Sequence, residues 1–187
     1  MPDLRINLIE GTMDLLLGML GQGDLDIVIG RTVDESDSLS EFNTEVLYTE
    51  PVDLVVRCDH PLIRLPEISW DDVQSYRWIV WPRGSPIRRA LEVALAAVGR
   101  SLPPNHIESN SVIANITLLN NSDVIRAASR RSARTLSSMN MLRILPLELR
   151  GFGSVSMYWH HDELHPKFVE QALDCIRCVI KAAEDCS

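Results

Sequence analysis

Apolar and polar residues alternate along this chain in two rhythms, one of period two and one near 3.6, and the rhythm switches repeatedly. Leu4-Arg5-Ile6-Asn7-Leu8-Ile9 follows the period expected of a strand. Glu10-Gly11-Thr12 breaks it, and Thr12 is placed to cap a helix through its hydroxyl. Residues 13–20 are apolar enough for a mostly buried helix, which Gly21-Gln22-Gly23 stops. The nearly continuous apolar run over residues 25–30 predicts a strand buried on both faces. Strand, helix and strand together read as one right-handed parallel crossover.

The switching continues downstream. A polar loop carries Asp34, Glu35, Asp37 and Ser38, and strands are predicted over residues 45–47 and 52–56. Asp59-His60-Pro61-Leu62 closes that run, and Trp70-Asp71-Asp72-Val73 opens a short helix. A second alternating unit follows, with a strand over 78–81, a turn over 82–86 and an amphipathic helix over 87–98. Ser85 is its expected cap, Pro86 its first position and Gly99 its stop. Further strands are predicted over 106–108, 123–125, 142–145 and 154–159. Helices are predicted from the caps Ser109-Asn110-Ser111 to Leu119, over 132–138 and over 166–183. Strands alternating with helices imply an α/β fold with largely parallel sheets. The Pro- and Asp-rich stretch 59–72 predicts a crossover between two lobes, and the strand at 154–159 a return. Lobe one is then 1–62 with 154–187, and lobe two 63–153.

Composition narrows the function. The chain has 187 residues with 18 Lys and Arg against 26 Asp and Glu, a net charge of −8. Affinity for phosphate backbones comes from clustered cations, so this chain is not expected to bind DNA by itself. Apolar runs such as Leu15-Leu16-Leu17 fall far short of the roughly 20 residues of a membrane span. Asp3 and Arg5 interrupt what a signal peptide would need, which predicts a cytoplasmic chain. Cys58, Cys175, Cys178 and Cys186 form no disulfide framework, and Cys175-Ile-Arg-Cys178 lies within a helical pattern as ordinary thiols.

At this point the residues resemble the effector-binding domain of LysR-type bacterial transcriptional regulators. The resemblance rests on Pro2-Asp3-Leu4-Arg5-Ile6 with Glu10-Gly11-Thr12, and on Gly23-Asp24-Leu25-Asp26-Ile27-Val28-Ile29. It rests further on His60-Pro61-Leu62, and on Trp81-Pro82-Arg83-Gly84-Ser85 leading into a helix. It implies two Rossmann-like lobes of the type II periplasmic-binding-protein architecture, with the first strand and helix of lobe one missing. It also implies a small effector, a homodimer or tetramer, and DNA contact only through a helix-turn-helix that this chain lacks. Trp81-Pro82 and Asn120-Asn121-Ser122-Asp123-Val124 look most like a subgroup associated with sugar-related regulation, so the expected effector is sugar-related or acidic. The alternative is a solute-binding protein of a transport system.

In an open α/β lobe, ligands bind beyond the carboxyl ends of the strands, against helix N-termini. Four stretches fall at such junctions: Glu10-Gly11-Thr12, Gly30-Arg31, Pro82-Arg83-Gly84-Ser85 and Ser109-Asn110-Ser111. The resemblance places them on an inter-lobe cleft. Arg31 and Arg83 can each fork onto a carboxylate or phosphate. Thr12, Ser85 and Ser109 serve equally as helix caps. Trp81 and Trp159 end strands and offer rings to a ligand, or to the core. His160-His161-Asp162-Glu163 with His165 is the most metal-like cluster, but adjacent residues of an extended segment point to opposite faces, so no metal is expected. Arg126, Arg130, Arg131 and Arg134 read as a solvated basic face. No nucleophile elbow or phosphate loop is present, so no catalytic residue, no cofactor and no enzyme are expected.

Overall fold

The computed structural model describes residues 5–31, 41–149, 153–161 and 166–185. The polar loop 34–38, the cluster residues Asp162, Glu163 and His165, and Cys186 lie outside these. The chain divides into two compact units, residues 1–48 with 155–187, and residues 49–154.

The first unit is a sheet with a helix on each face. It contains α1 (Met13–Gly21), β1 (Ile27–Arg31), β2 (Phe42–Thr49), β8 (Ser154–His160) and α6 (Pro166–Asp185), with strand order β1-β8-β2. Alternation along β8 sends Tyr158 to one face and Met157 and Trp159 to the other. On the first face Leu16 and Leu20 of α1 pack with Val28, Phe42 and Tyr158. On the second, Val169 and Leu173 of α6 pack with Met157.

Three expectations change here. No strand forms over residues 5–9: without a paired neighbour Ile6 and Leu8 are 81% and 86% exposed, and only Ile9 packs against the core of this unit. β1 is antiparallel to β8, with Ile27 opposite Trp159 and Arg31 opposite Val155. Among the described residues it lies at the edge of the sheet, and with Ile29 46% exposed β1 is not buried on both faces.

α6 is tied to β2 by Arg177, which donates to Glu45 from Nε at 3.0 Å and Nη2 at 2.5 Å. That guanidinium holds the Glu45 carboxyl below the ordinary carboxylate range. A lowered folded-state value means the pair stabilises the fold above the unfolded carboxyl value, about pH 4.3, and is lost as acid protonates Glu45 below it. Both side chains are more than a third exposed, so solvent and salt screen the effect. Glu45→Gln is therefore expected to melt slightly below the unsubstituted chain at pH 7, and together with it at about pH 3. Melting curves across that range check this.

The second unit is built on a five-stranded mixed sheet, not a largely parallel one. Its strands are β3 (Val52–Val56), β4 (Trp78–Val80), β5 (Ile107–Glu108), β6 (Ile125–Ser129) and β7 (Arg143–Ile144), in the order β5-β4-β6-β3-β7. β5, β4 and β6 are mutually parallel, while β3 runs antiparallel to β6 and β7. Pairing of β3 with β6 and β7 draws it into this unit, so the division falls at residues 48–49 and not after residue 62. The stretch 59–72, read as an inter-lobe crossover, accordingly lies within the unit.

Its helices are α2 (Trp70–Gln74), α3 (Pro86–Ala97), α4 (Val112–Asn121) and α5 (Arg130–Ser138). One face of the sheet carries Leu54, Trp78, Val80, Ile125 and Ala127 under Leu91 and Leu95 of α3. The other carries Val55, Ile79 and Ala128 with Leu119 of α4 and Ala133 of α5. The α3 signals act as expected. Ser85 Oγ accepts the Arg88 N–H, and Gly99, at φ +71°, ends the helix as Arg100 N–H returns to Leu95 O at 2.8 Å.

Candidate functional site

Three parallel strands end on one edge of the second sheet, and each hands the chain to a helix. β4 passes through residues 81–85 into α3, β5 through 109–111 into α4, and β6 directly into α5. β3, antiparallel to β6 with Val52 opposite Ser129, brings Glu50 and Asp53 to the same edge. Carboxyl ends of parallel strands meeting helix N-termini form the ordinary ligand-binding edge of such a sheet.

The start of α5 is occupied by the protein itself. Glu50, 5% exposed, accepts the Arg131 N–H at 2.7 Å, and Arg130 donates to Asp53 from Nη2 at 2.9 Å. At the start of α3, Gly84 turns the loop at φ +84° and Ser85 caps Arg88. Arg83 is exposed and leans on Glu108, whose Oε2 accepts its backbone N–H at 3.3 Å. That hydrogen bond, with the charge of Arg88, holds the Glu108 carboxyl below its ordinary range.

Arg88 organises this edge. Its guanidinium is buried and donates to Glu92 at 2.6 Å, to the Trp81 carbonyl at 2.9 Å and to Glu108 at 3.4 Å. Nη2 lies 3.2 Å from His106 Nε2, and His106 Nδ1 lies 2.7 Å from the Pro103 carbonyl. One tautomer satisfies both contacts: Nδ1–H donates to Pro103 and Nε2 accepts from Arg88. The loop after β4 and the end of β5 are thereby fixed to one side chain.

The start of α4 is open. Ser111, not Ser109, caps the helix by accepting the Ala114 N–H at 3.3 Å, while Ser109 Oγ accepts the Ser111 N–H. The Val112 and Ile113 amides meet no acceptor among the described residues. Asn115, one turn in, is 0% exposed. Its Nδ2 reaches the Ser109 carbonyl at 3.5 Å, and its Oδ1 has no partner among the described residues. A carbonyl only accepts, so the amide nitrogen must face Ser109 and the oxygen is turned away from any donor. A buried acceptor left unpaired costs about 1–3 kcal/mol, which a bound donor recovers.

The remaining residues divide by unit. Glu10, Gly11 and Thr12 are exposed before α1, and the Thr12 hydroxyl makes no capping hydrogen bond, contrary to expectation. Met13 Sδ fills the space beside Gly30, so this junction and Arg31 share one end of the first sheet. Trp159 is at the other end, opposite Ile27, about 13 Å along the strand, and packs with the α6 cluster. Trp81 packs partly against the core of the second unit. His60 is buried, its Nδ1 accepting the Leu62 N–H, and desolvation pushes its pKa down. Among the described residues no cluster of His, Cys, Asp or Glu could hold a metal.

Sequence reasoning missed Arg88, His106, Glu108 and Asn115. Only Arg88 with Glu92 carried a signal, a helical i,i+4 spacing of opposite charges. The expected solvated basic face does not form: Arg126 belongs to β6 and is half-buried, Arg130 and Arg131 are half-buried at the start of α5, and only Arg134 is exposed.

Residues 1–181 match the family described as the LysR substrate binding domain. The HTH-type transcriptional regulator GbpR of Azospirillum brasilense is 29% identical over 178 residues, 94% of this chain and 52% of GbpR. GalR of Pseudomonas putida, also an HTH-type transcriptional regulator, is 29% identical over 96% of this chain and 45% of its own length. The chain thus spans about half the length of these curated relatives. The regulatory domain of Synechocystis PCC6803 CcmR, solved in complex with 2-PG, superposes with a TM-score of 0.76. That match is 16% identical and covers 96% of this chain and 85% of CcmR's.

Proposed function

The chain belongs to the LysR substrate-binding domain family, and on that premise we propose that it senses a small polar effector at the β5-β4-β6 edge of its second unit. The observation that carries this reading is Asn115. Among the described residues, a fully buried amide oxygen lacks a donor beside two open amides at the start of α4. The contact set on this edge is Trp81, Arg83, Gly84, Ser85, Ser109, Asn110 and Ser111, with Arg88 and Glu108 positioning the loops. Glu10, Gly11, Thr12 and Arg31 are contact candidates at the corresponding junction of the first unit. Trp159, packed with α6, has a core role in this reading.

The whole protein would be a cytoplasmic LysR-type transcriptional regulator working as a dimer, with DNA read by a helix-turn-helix outside this chain. Effector binding would act through a difference in affinity between two arrangements of the assembly. The domain would hold its ligand without transforming it. The regulator reading is favoured over transport because GbpR and GalR are both transcriptional regulators. Thermal-shift screening against a metabolite library tests it, since binding to the native state raises the melting temperature by mass action. A hit is expected to be recovered with unchanged mass, and Asn115→Ala to lose its shift. A hit consumed on incubation, or one indifferent to Asn115→Ala, contradicts the reading.

A further inference from the structure

We propose that His60 is an acid-sensitive latch of the second unit: as a neutral ring it holds the turn after β3 on the core, and as an imidazolium it has to release that turn. His60 lies at the far end of the sheet from the effector edge, so the effector reading does not enter.

β3 runs antiparallel to β6, with Val52 opposite Ser129 and Val55 opposite Arg126. The chain leaving Val56 therefore arrives beside the start of β6, away from the carboxyl ends of β4, β5 and β6. There Arg57 donates to Asp123 at 2.8 Å, and Pro61–Arg64 forms a single 3₁₀ turn. His60 caps that turn twice. Its Nδ1 accepts the Leu62 N–H at 3.1 Å, and its carbonyl accepts the Ile63 N–H at 3.1 Å. Leu62 is 2% exposed and belongs to the core cluster of Val56, Val73 and Trp78. The His60 ring is 0% exposed, its centroid 4.7 Å from that of the Tyr76 ring.

The side-chain cap works in one protonation state only. A ring nitrogen that accepts from a backbone N–H carries no proton, so the neutral ring holds its proton on Nε2. A second proton sets N–H against N–H at Nδ1, and the Leu62 amide loses its acceptor in a buried place. At the other end of the ring, Nε2 makes no well-formed hydrogen bond among the described residues, although the Asp123 backbone is near it.

Burial is the largest influence on this ring and pushes it below the ordinary histidine range. The groups around it do not reverse that. Asp123, just before β6, and Asp59, after β3, favour the imidazolium, while Arg57 at the end of β3 opposes it. Both carboxylates are already paired with Arg57. Tyr76, between α2 and β4, contributes an aromatic ring. With the folded-state value lowered, the unfolded chain takes up the proton first as the pH falls. Stability is therefore whole above about pH 6.5, the ordinary histidine value, and is lost from there down toward the folded value. One proton changes the unfolding equilibrium by at most about tenfold per pH unit.

Two measurements test this. Ring ¹⁵N resonance of the intact chain is expected to show His60 with Nε2 protonated and Nδ1 bare at pH 7. Its titration midpoint is expected below about 6.5, with the Leu62 amide moving in step. Urea unfolding then compares the chain with His60→Asn, whose side-chain oxygen can accept the Leu62 N–H without titrating. Between pH 7.5 and 5.5 the unfolding constant of the unsubstituted chain, relative to His60→Asn, is expected to rise severalfold and by no more than about tenfold. A ratio that does not change with pH overturns the proposal. So does a proton on Nδ1 at pH 7, a midpoint at or above 6.5, or a Leu62 amide indifferent to the ring. If His60→Asn does not fold, the ring and amide titrations of the unsubstituted chain decide alone.

Discussion

Trp78→Ala is expected to destabilise the second unit by about 3–5 kcal/mol, the loss associated with emptying a large aromatic site in a packed core. Trp78 is 0% exposed, on the face of the sheet that α3 covers, among Leu54, Leu91, Leu95 and Ile125. Its indole N–H donates to the Val73 carbonyl at 2.9 Å, pinning the end of α2 to β4. Truncation thus removes buried apolar area, leaves a cavity and takes one donor from the Val73 carbonyl, which keeps the Tyr76 N–H at 3.4 Å. Trp81, three residues on and only partly buried, is expected to cost less than about half as much as alanine. Urea unfolding followed by far-UV circular dichroism measures both. Equal losses at the two positions would contradict the assignment of Trp78 to the core and Trp81 to the loop.

The second large effect is at Arg88. Arg88→Ala removes a guanidinium whose side chain is 4% exposed. The Trp81 carbonyl loses its donor, Glu92 loses its counter-charge, and Glu108 keeps only that of Arg83. Both carboxylates are partly exposed, 49% and 34%, so water compensates part of the loss. The expected cost is about 2–3 kcal/mol, below that of breaking a fully buried pair. Arg88→Lys is expected to recover less than half of it, because one ammonium cannot reproduce the planar fork that spans Glu92, Trp81 and Glu108. The same unfolding curves decide this. Full recovery by lysine would mean that charge alone, not geometry, matters here.

The residues that sequence patterning reached are those whose role is local. Ser85, Pro86 and Gly99 bound α3 because capping and left-handed backbone are decided within a turn of chain. Residues 52–56 form the expected strand, with all five positions buried. Direction and partners were less legible. β3 and β1 look like their parallel counterparts in hydropathy, since alternation reports burial and says little about which strand lies alongside. Residues 5–9 show why an alternating pattern needs a neighbour before it becomes a strand.

The site divides in the same way. Junction loops such as 82–85 and 109–111 follow from strand and helix ends, so their position at the carboxyl ends of β4 and β5 was readable. Arg88, His106 and Glu108 were not, because their contacts join separate segments of chain. Arg126 was grouped with Arg130, Arg131 and Arg134 by proximity in sequence. The structure ends a strand between them and sends Arg126 into the sheet while Arg130 pairs with Asp53.

The central claim, a ligand on the strand ends of the second unit, is met most directly by nuclear magnetic resonance. The ¹⁵N-labelled chain would be titrated with the strongest hit from the metabolite screen. The account predicts that backbone amides of residues 109–115 and 81–85 shift most, together with the Asn115 side-chain amide. Shifts confined to the α1–β1 or α6 surfaces of the first unit, with those loops unmoved, would contradict it.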